Sequence, residues 1–523
     1  MKTKYFILLS SLALLSFFGC QKLTEDPKAK ITPVTYFQSQ NDLDGAVAAM
    51  YECYAHDYGY GFTSRMDAMF GADDLATHYL SNKRPQRLFD QLNSNPTEDG
   101  VTEGWSPFWT GIYQANNVLV NYSKVPTTDD LKNAAAAQAY FLRAWAYYML
   151  VRTYGPIPIS IGAADLTKKL PRAAVADVYN QIVSDLTTAI NTFPSGYAIT
   201  PDKANPMSAQ ALLADVYLTM TGWPINDATN YAAAAAAANV VIQANKYTLV
   251  PDYLTMFSLN NHSESIFALQ FNKGNGTAQR GYGQSSIVDD EVGIDGSSGW
   301  DDFFPEVNFF KAAPKCTRTD ETFVTTVKLR NADKVTYNLV PWNSSLTDVR
   351  HPEYKKFRYG LGVPGAGDGC TETATQIITM NASTNKTNDI IRYPMVLLDY
   401  AEASAMSGSG PTAASYSAIN IVRARAGEQP LTAGLSATAF RDSVVFERAY
   451  EFCGENGMRW FDICRLQLLP TIVAARSTDF QDPRPVENPI PTAVLSHLAD
   501  RYLAPIPQAD MFLNPQWTQN AGY

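Results

Sequence analysis

The chain has 523 residues and a net charge of −10, with no basic run. That balance argues against nucleic acid and against an electrostatic hold on anionic lipid. Aromatics are abundant (29 Tyr, 25 Phe, 8 Trp) while charged residues make up only 18%. This suits a surface that stacks on neutral polar ligands, and equally a helical core with Tyr as a common spacer.

The N-terminus carries Lys2 and Lys4 and no acid, followed by an uncharged apolar run from Phe6 to Phe18. A basic start before an apolar stretch too short to span a bilayer comfortably predicts a secretory signal over residues 1–19. Ser16 to Cys20 resembles the lipobox of bacterial lipoproteins, in which the cysteine is acylated and becomes the new N-terminus. The alternative, an ordinary secreted protein with a chance cysteine at the boundary, requires a coincidence, since a free Cys seldom sits there. Several acyl chains anchor stably where one is marginal. Residues 20–42 then read as a polar, lipidated tether, and Glu25-Asp26 resembles the acidic signal some lipoproteins use to reach the outer face of the outer membrane.

About 500 residues follow the signal, enough for a large core. Leu43 to Tyr54 and Trp109 to Tyr122 read as a helix pair, with an irregular stretch from Ala55 to Trp105 between them. Thr127 with Asp130 forms a capping-box-like start to a helix that runs through Ala134 to Tyr154, where Gly155-Pro156 stops it. Tyr140, Ala144, Tyr147 and Val151 share one face of it, beside Phe141, Trp145 and Tyr148. Val175 to Phe193 follows, with Val178, Ile182, Leu186 and Ile190 at a spacing of four. Asn205-Pro206 opens a further helix to Gly222, and its partner is the alanine run Tyr231 to Tyr247, whose thin sides allow close antiparallel packing. Between Leu249 and Ile391 Gly, Asn, Thr, Asp and Pro dominate, with β-like runs at Ile266 to Phe271 and Phe323 to Leu329. A connection this long without regular elements is usually functional. Tyr393 to Ser407, Ser415 to Ala426 and Ala439 to Glu455 are again helical. The expected fold is therefore mostly α: tetratricopeptide-like helix pairs forming a shelf, with one long irregular ligand-binding insertion. The boundaries are a single domain over 43–523, helical over 43–248 and 392–470, the insertion over 249–391 and an extended segment over 471–523.

No motif for catalysis is evident. Gly360 to Gly365 matches GxGxxG literally, but Pro364 and the following Ala366-Gly367-Asp368-Gly369 deny the helix that a dinucleotide site requires, so it reads as a loop. Glu447, Glu451 and Glu455 lie at a spacing of four. A retaining glycosidase needs two carboxylates ~5 Å apart, normally on different elements facing a cleft. These three read instead as structural salt links to Arg423, Arg425 or Arg459. Asp289-Asp290-Glu291 and Asp301-Asp302 lack the EF-hand spacing and read as solvated loop rather than a calcium site. The five histidines stand far apart, no CxxC pair exists, and no metal or other cofactor is expected. Beyond Cys20 the cysteines are Cys53, Cys316, Cys370, Cys453 and Cys464, an odd number that leaves at least one thiol free.

Exposed aromatics remain. Sugar rings have an apolar C–H face that stacks on Trp or Tyr, while amides, acids and Arg hold the hydroxyls. Tyr79 and Arg84, with Tyr282, Trp300 and Trp342, lie in the two irregular stretches and are the candidate ligand-binding residues. The competing reading is that each packs a loop onto the shelf.

Several segments together resemble the SusD/RagB family of outer-membrane nutrient-binding lipoproteins. Trp109 to Leu119 resembles its early helix, and Ala139 to Tyr148 followed by Tyr154-Gly155-Pro156-Ile157-Pro158 its most characteristic stretch. Arg392-Tyr393-Pro394 to Ala403, Ile419 to Gly427 and Phe446 to Arg465 resemble its later helices, and Tyr502 to Pro507 with Asn514 to Tyr523 its ending. Ala449, Tyr450-Glu451-Phe452, Asp510 and Ala521 depart from the family pattern, all in the scaffold. The resemblance implies four tetratricopeptide-like pairs with one large insertion. It also implies a surface lipoprotein that caps a TonB-dependent transporter of the SusC type and delivers to it a polymer fragment, usually a glycan, without cleaving it. A peptide-binding member of the same family and a surface glycoside hydrolase are the alternatives. The expected location is the outer membrane, lipid-anchored and facing the cell exterior.

Overall fold

The computed structural model describes residues 36–62, 67–78, 81–162, 165, 169–272, 274, 283–347, 351–358, 370–380, 383–476 and 490–523. The signal, Cys20, most of the tether, the Gly360 to Gly365 loop, Tyr79 and Tyr282 lie outside the described residues. Among the described residues no helix is long and apolar enough to cross a membrane, and all five cysteines are free thiols.

Ten principal helices carry the fold: α1 (Gln40–Glu52), α2 (Ser106–Asn121), α3 (Asp129–Tyr154), α4 (Val175–Thr192), α5 (Pro206–Met220), α6 (Asn230–Gln243), α7 (Tyr393–Met406), α8 (Ala413–Arg425), α9 (Ala437–Glu451) and α10 (Met458–Arg465). Their ends follow local chemistry. Asn205 caps α5 by accepting from the Met207 and Ser208 amides, and Pro206 stands where no intrahelical N–H bond is needed. The cap of α3 is Thr128, which accepts from the Leu131 amide at 3.4 Å, and not Thr127 as the spacing suggested. Gly155 ends α3 at φ 71, and an added Cβ there would meet the Leu503 side chain at 2.6 Å. The expected helix to Glu455 stops at Glu451, because Gly454, Asn456 and Gly457 all take positive φ and turn the chain into α10.

From α2 onward each helix packs on the next in sequence, and α7 also receives α9. This is the expected series of antiparallel pairs. Arg143 of α3 bolts three helices together: Nε and Nη2 donate to Asp185 on α4 at 2.8 and 2.6 Å, and Nη1 donates to Asn116 on α2 at 2.7 Å. The alanine run of α6 buries Ala234, Ala237, Ala238 and Val241, so its backbone lies close to both neighbours.

The insertion leaves the shelf after α6 and returns at α7, which packs directly on α6. The shelf is thus continuous across it. Its neck is an antiparallel ladder of β1 (Ser265–Leu269) with β8 (Asn388–Arg392). Phe267 of β1 lies edge-on to Phe141 and Trp145 of α3, with ring centroids 4.9 and 5.7 Å apart. Inside the insertion β2 (Phe323–Val324) pairs with β5 (Glu353–Tyr354), β3 (Thr326–Arg330) with β4 (Tyr337–Pro341), and β6 (Thr371–Glu372) with β7 (Ile377–Thr379). The run expected as one strand from Phe323 to Leu329 is therefore two, which part at Thr325 to join different partners. Beyond α10 the chain carries short helices at Leu469–Ala475, Thr492–Leu495 and Gln508–Leu513. Its tail folds back on the end of α3, where the Asn520 amide donates to the carbonyls of Tyr154 and Ala504 at 3.0 and 2.7 Å.

Candidate ligand-binding site

The two irregular stretches of the sequence meet. Ala76 and Phe304 exchange backbone hydrogen bonds at 2.8 and 3.0 Å, and Thr77 Oγ1 donates to the Asp302 carbonyl at 2.8 Å. Beneath this seam lie buried charges. Lys83 pairs with Asp302, and His351 Nε2 stands 3.2 Å and His78 Nε2 3.8 Å from the Asp301 carboxylate. The His351 ring lies flat on Phe304, centroids 3.4 Å apart. Burial works to raise the Asp301 pKa, but His351, His78 and Lys83 outweigh it and hold that carboxyl below its ordinary value. At Asp302 burial prevails over Lys83 and the carboxyl is raised. These acids therefore form a buried, ion-paired cluster. The expected solvated loop is not what the chain makes here.

Glu291 departs from the solvated reading in the same way. It is buried, accepts from the Lys328 amide at 2.7 Å, and is held with Glu353 and Glu372 by Arg358. Burial pushes Glu353 up to about 8, against the pull of Arg358. Among the described residues no three His, Cys, Asp or Glu side chains gather as metal ligands.

Above the seam sits Trp300, half-buried and facing Phe62 edge-on at 6.2 Å. Its backbone is pinned from both sides: the Trp300 amide donates to the Gln284 carbonyl at 2.9 Å, and the Asp301 and Asp302 amides donate to Ile287 and Ser285 at 2.9 and 2.7 Å. Gly299, just before it, could carry no side chain, since a Cβ would lie 2.1 Å from the Val288 carbonyl oxygen. Arg84 begins the short helix that follows Lys83; its side chain is 60% exposed and bonds Glu98 at 2.7 Å. Arg84 thus directly follows Lys83, while Trp300 directly precedes Asp301 of the same buried cluster. Trp342 is placed differently. It packs edge-on against Phe310 at 5.9 Å and beside Val288, Val327 and Val340. Phe62, His78, Lys83 and His351 were not singled out from sequence, because the contact joining His351 to Asp301 spans 50 residues and leaves no local spacing.

The acidic triplet, with Glu447 and Glu451 on α9 and Glu455 in the turn after it, is saturated by cations. Glu447 binds Arg318 and Arg423, Glu451 binds Arg318, Arg392 and Arg425, and Glu455 binds Lys356 and Arg392. The structural reading holds for Arg423 and Arg425. Arg459 instead forks onto Asp73 at 2.7 and 2.9 Å.

Comparison with known proteins agrees with this architecture. Residues 23–218 match a family model described as "Starch-binding associating with outer membrane", and residues 263–523 match one described as "SusD family". A "SusD-like protein P2" of Formosa agariphila is 28% identical over 483 residues, covering 87% of this chain and 89% of its own. A SusD homolog of Bacteroides thetaiotaomicron superposes with a TM-score of 0.78 at 23% identity, over 94% of this chain and 98% of its own. Surface glycan-binding protein A of Bacteroides uniformis superposes at 0.68 with 20% identity, over 92% of this chain and all (100%) of its own.

Proposed function

The chain belongs to the SusD/RagB family, and from that premise we propose that it is a cell-surface lipoprotein which binds a glycan fragment and hands it to a TonB-dependent outer-membrane transporter of the SusC type. In this reading residues 1–19 are the signal, residues 20–42 the tether acylated at Cys20, and residues 43–523 one ligand-binding domain facing the cell exterior. The observation that carries it is Trp300, a half-exposed ring fixed by backbone bonds over a buried ion-paired seam. Such a ring meets a sugar's C–H face without rearrangement, and the exposed guanidinium of Arg84 is proposed to reach hydroxyls. Tyr79, Tyr282 and Trp342 complete the proposed ligand set. The matched family model, described as starch-binding, and the surface glycan-binding neighbour support this ligand class. The protein binds and does not cleave: Asp302 of the seam and Glu447 and Glu451 of α9 are each engaged by a Lys or Arg, and Asp301 by His351, which leaves no free acid/base pair among them.

Isothermal titration against a panel of oligosaccharides and peptides tests the reading. One glycan class should bind weakly, and Trp300→Ala should reduce that binding by ~1–3 kcal/mol, the range for loss of an aromatic stacking partner. Binding of peptides alone, or chain shortening of an oligosaccharide at an enzyme's rate, would overturn it.

A further inference from the structure

The turn at Gly283–Ser286 has two sides. One receives the Trp300 amide through the Gln284 carbonyl. On the other, Gly283 lines a separate, partly open cavity in the neck of the insertion, walled by Phe257 and Phe357 and by Lys386, Asn388 and Asp389. The space open to the centres of water-sized spheres is about 40 Å³, room for roughly three waters.

Asn388 is the informative residue. It sits on β8, is only 5% exposed, and its side-chain amide makes no hydrogen bond to any described residue. Its amide faces the cavity, where only water or a ligand can supply the missing partner. Lys386 is similar: 8% exposed, its ammonium donates one bond, to the Leu259 carbonyl at 2.5 Å, and has two further N–H groups. The other cations of the lining are already engaged. Lys356 donates to Glu455 at 2.7 Å, and Arg392 to Glu451 and Glu455. Asp389, held by His262 at 2.9 Å, stands beside Lys386 in the lining and would repel a full negative charge. The cavity therefore suits a neutral group that donates and accepts at once and has an apolar side for Phe257 and Phe357. Adjacent hydroxyls on a sugar ring have that character, and each replaces one water.

We infer that this cavity is a second carbohydrate subsite, which takes one hydroxyl-bearing edge of a sugar ring through Asn388 and Lys386. The inference rests on the proposed glycan-binding function, and adds to the stacking surface at Trp300 a pocket that grips one edge of a ring.

The test is ligand-observed NMR of the full secreted chain with free glucose, galactose, mannose and xylose, repeated on Asn388→Ala and Lys386→Met. One monosaccharide should bind to the unaltered protein. Asn388→Ala and Lys386→Met should each weaken it about tenfold, as for loss of one well-placed hydrogen bond. A crystal of the unaltered protein grown with that sugar should show one hydroxyl-bearing edge of the ring in the cavity, which guards against a variant that merely misfolds. No monosaccharide binding, a sugar seen only at Trp300, or affinity unchanged in Asn388→Ala would overturn the subsite. Each of these leaves oligosaccharide binding at Trp300 measurable, so failure of the subsite and failure of the functional reading are distinguishable.

Discussion

Arg318 and Glu451 face each other across 3.0 Å although 133 residues separate them in the chain. Arg318 belongs to the insertion and Glu451 closes α9, so the pair fastens the ligand-binding excursion to the shelf. Glu451 also receives Arg392 from the neck and Arg425 from α8. Burial alone would raise its pKa, but the three guanidiniums overcome that and hold the carboxyl far below its ordinary value.

Glu451→Gln should therefore be severely destabilising. It removes the charge that three buried guanidiniums share, and breaking a buried ion pair from one side costs about 3–5 kcal/mol. Thermal unfolding of the variant checks this. A melting temperature equal to the parent's would mean that the network contributes nothing net.

Stability should also respond to pH through Asp74. Its carboxyl is fully buried, with Oδ2 accepting from the Gly454 amide at 2.8 Å and Oδ1 without a hydrogen bond. Burial, aided by neighbouring Asp73, pushes its pKa up to about 7. The unfolded value is about 3.9, so between pH ~4 and ~7 the folded state keeps a proton that the unfolded state has released. Stability from this group falls as pH rises through that window, by at most about 1.4 kcal/mol per unit. In Asp74→Asn the contribution disappears. Urea unfolding of both proteins at pH 5 and pH 7.5 should show the parent losing ground to the variant at the higher pH; parallel curves would refute the assignment.

Trp342→Ala is expected to act on the insertion itself. The ring packs against Phe310 and against the Val288, Val327 and Val340 cluster that supports the β3–β4 hairpin. Loss of this half-buried packing should lower stability by about 1–3 kcal/mol. Proteolysis should then cut first within the hairpin, and an unchanged protection pattern would count against that role.

Anchoring is tested at Cys20. Cys20→Ser should leave the protein unacylated, soluble or retained with its signal uncleaved, when followed by labelling with a fatty-acid analogue. Label retained by the variant would sink the lipobox reading.

The carrying complex is tested by mild detergent extraction. Pull-down of the lipidated protein should recover an outer-membrane β-barrel in near-equal amount. Recovery without a membrane partner would favour a free-standing scaffold.

The shelf was legible from residues because its signals are local: Asn205-Pro206 opens α5, Gly155 closes α3, and α4 repeats its apolar positions every fourth residue. The fate of the acids was not. Asp301, Asp302 and Glu291 looked solvated because each finds its cation through the tertiary fold, as Glu291 finds Arg358 across 67 residues. Glu447, Glu451 and Glu455 were legible in part, since Arg423 and Arg425 lie nearby in sequence, while Arg318, Arg392 and Lys356 do not. The same holds at the seam. Trp300 stood out by type and neighbourhood, but Gly299, which lets the chain just before it pass close to the Val288 carbonyl, explains its position only once the backbone is in view.

The return of α7 onto α6 has a consequence for how such a protein diversifies. The ends of the excursion, at Gln243 and Tyr393, are tied to adjacent helices and joined near their base by β1 and β8. The entropy of closing a long flexible loop grows only with the logarithm of its length, so a doubling costs about 0.6 kcal/mol. Lineages could thus lengthen, shorten or exchange the excursion's outer hairpins, and with them the cargo recognised, while inheriting the helical frame unaltered.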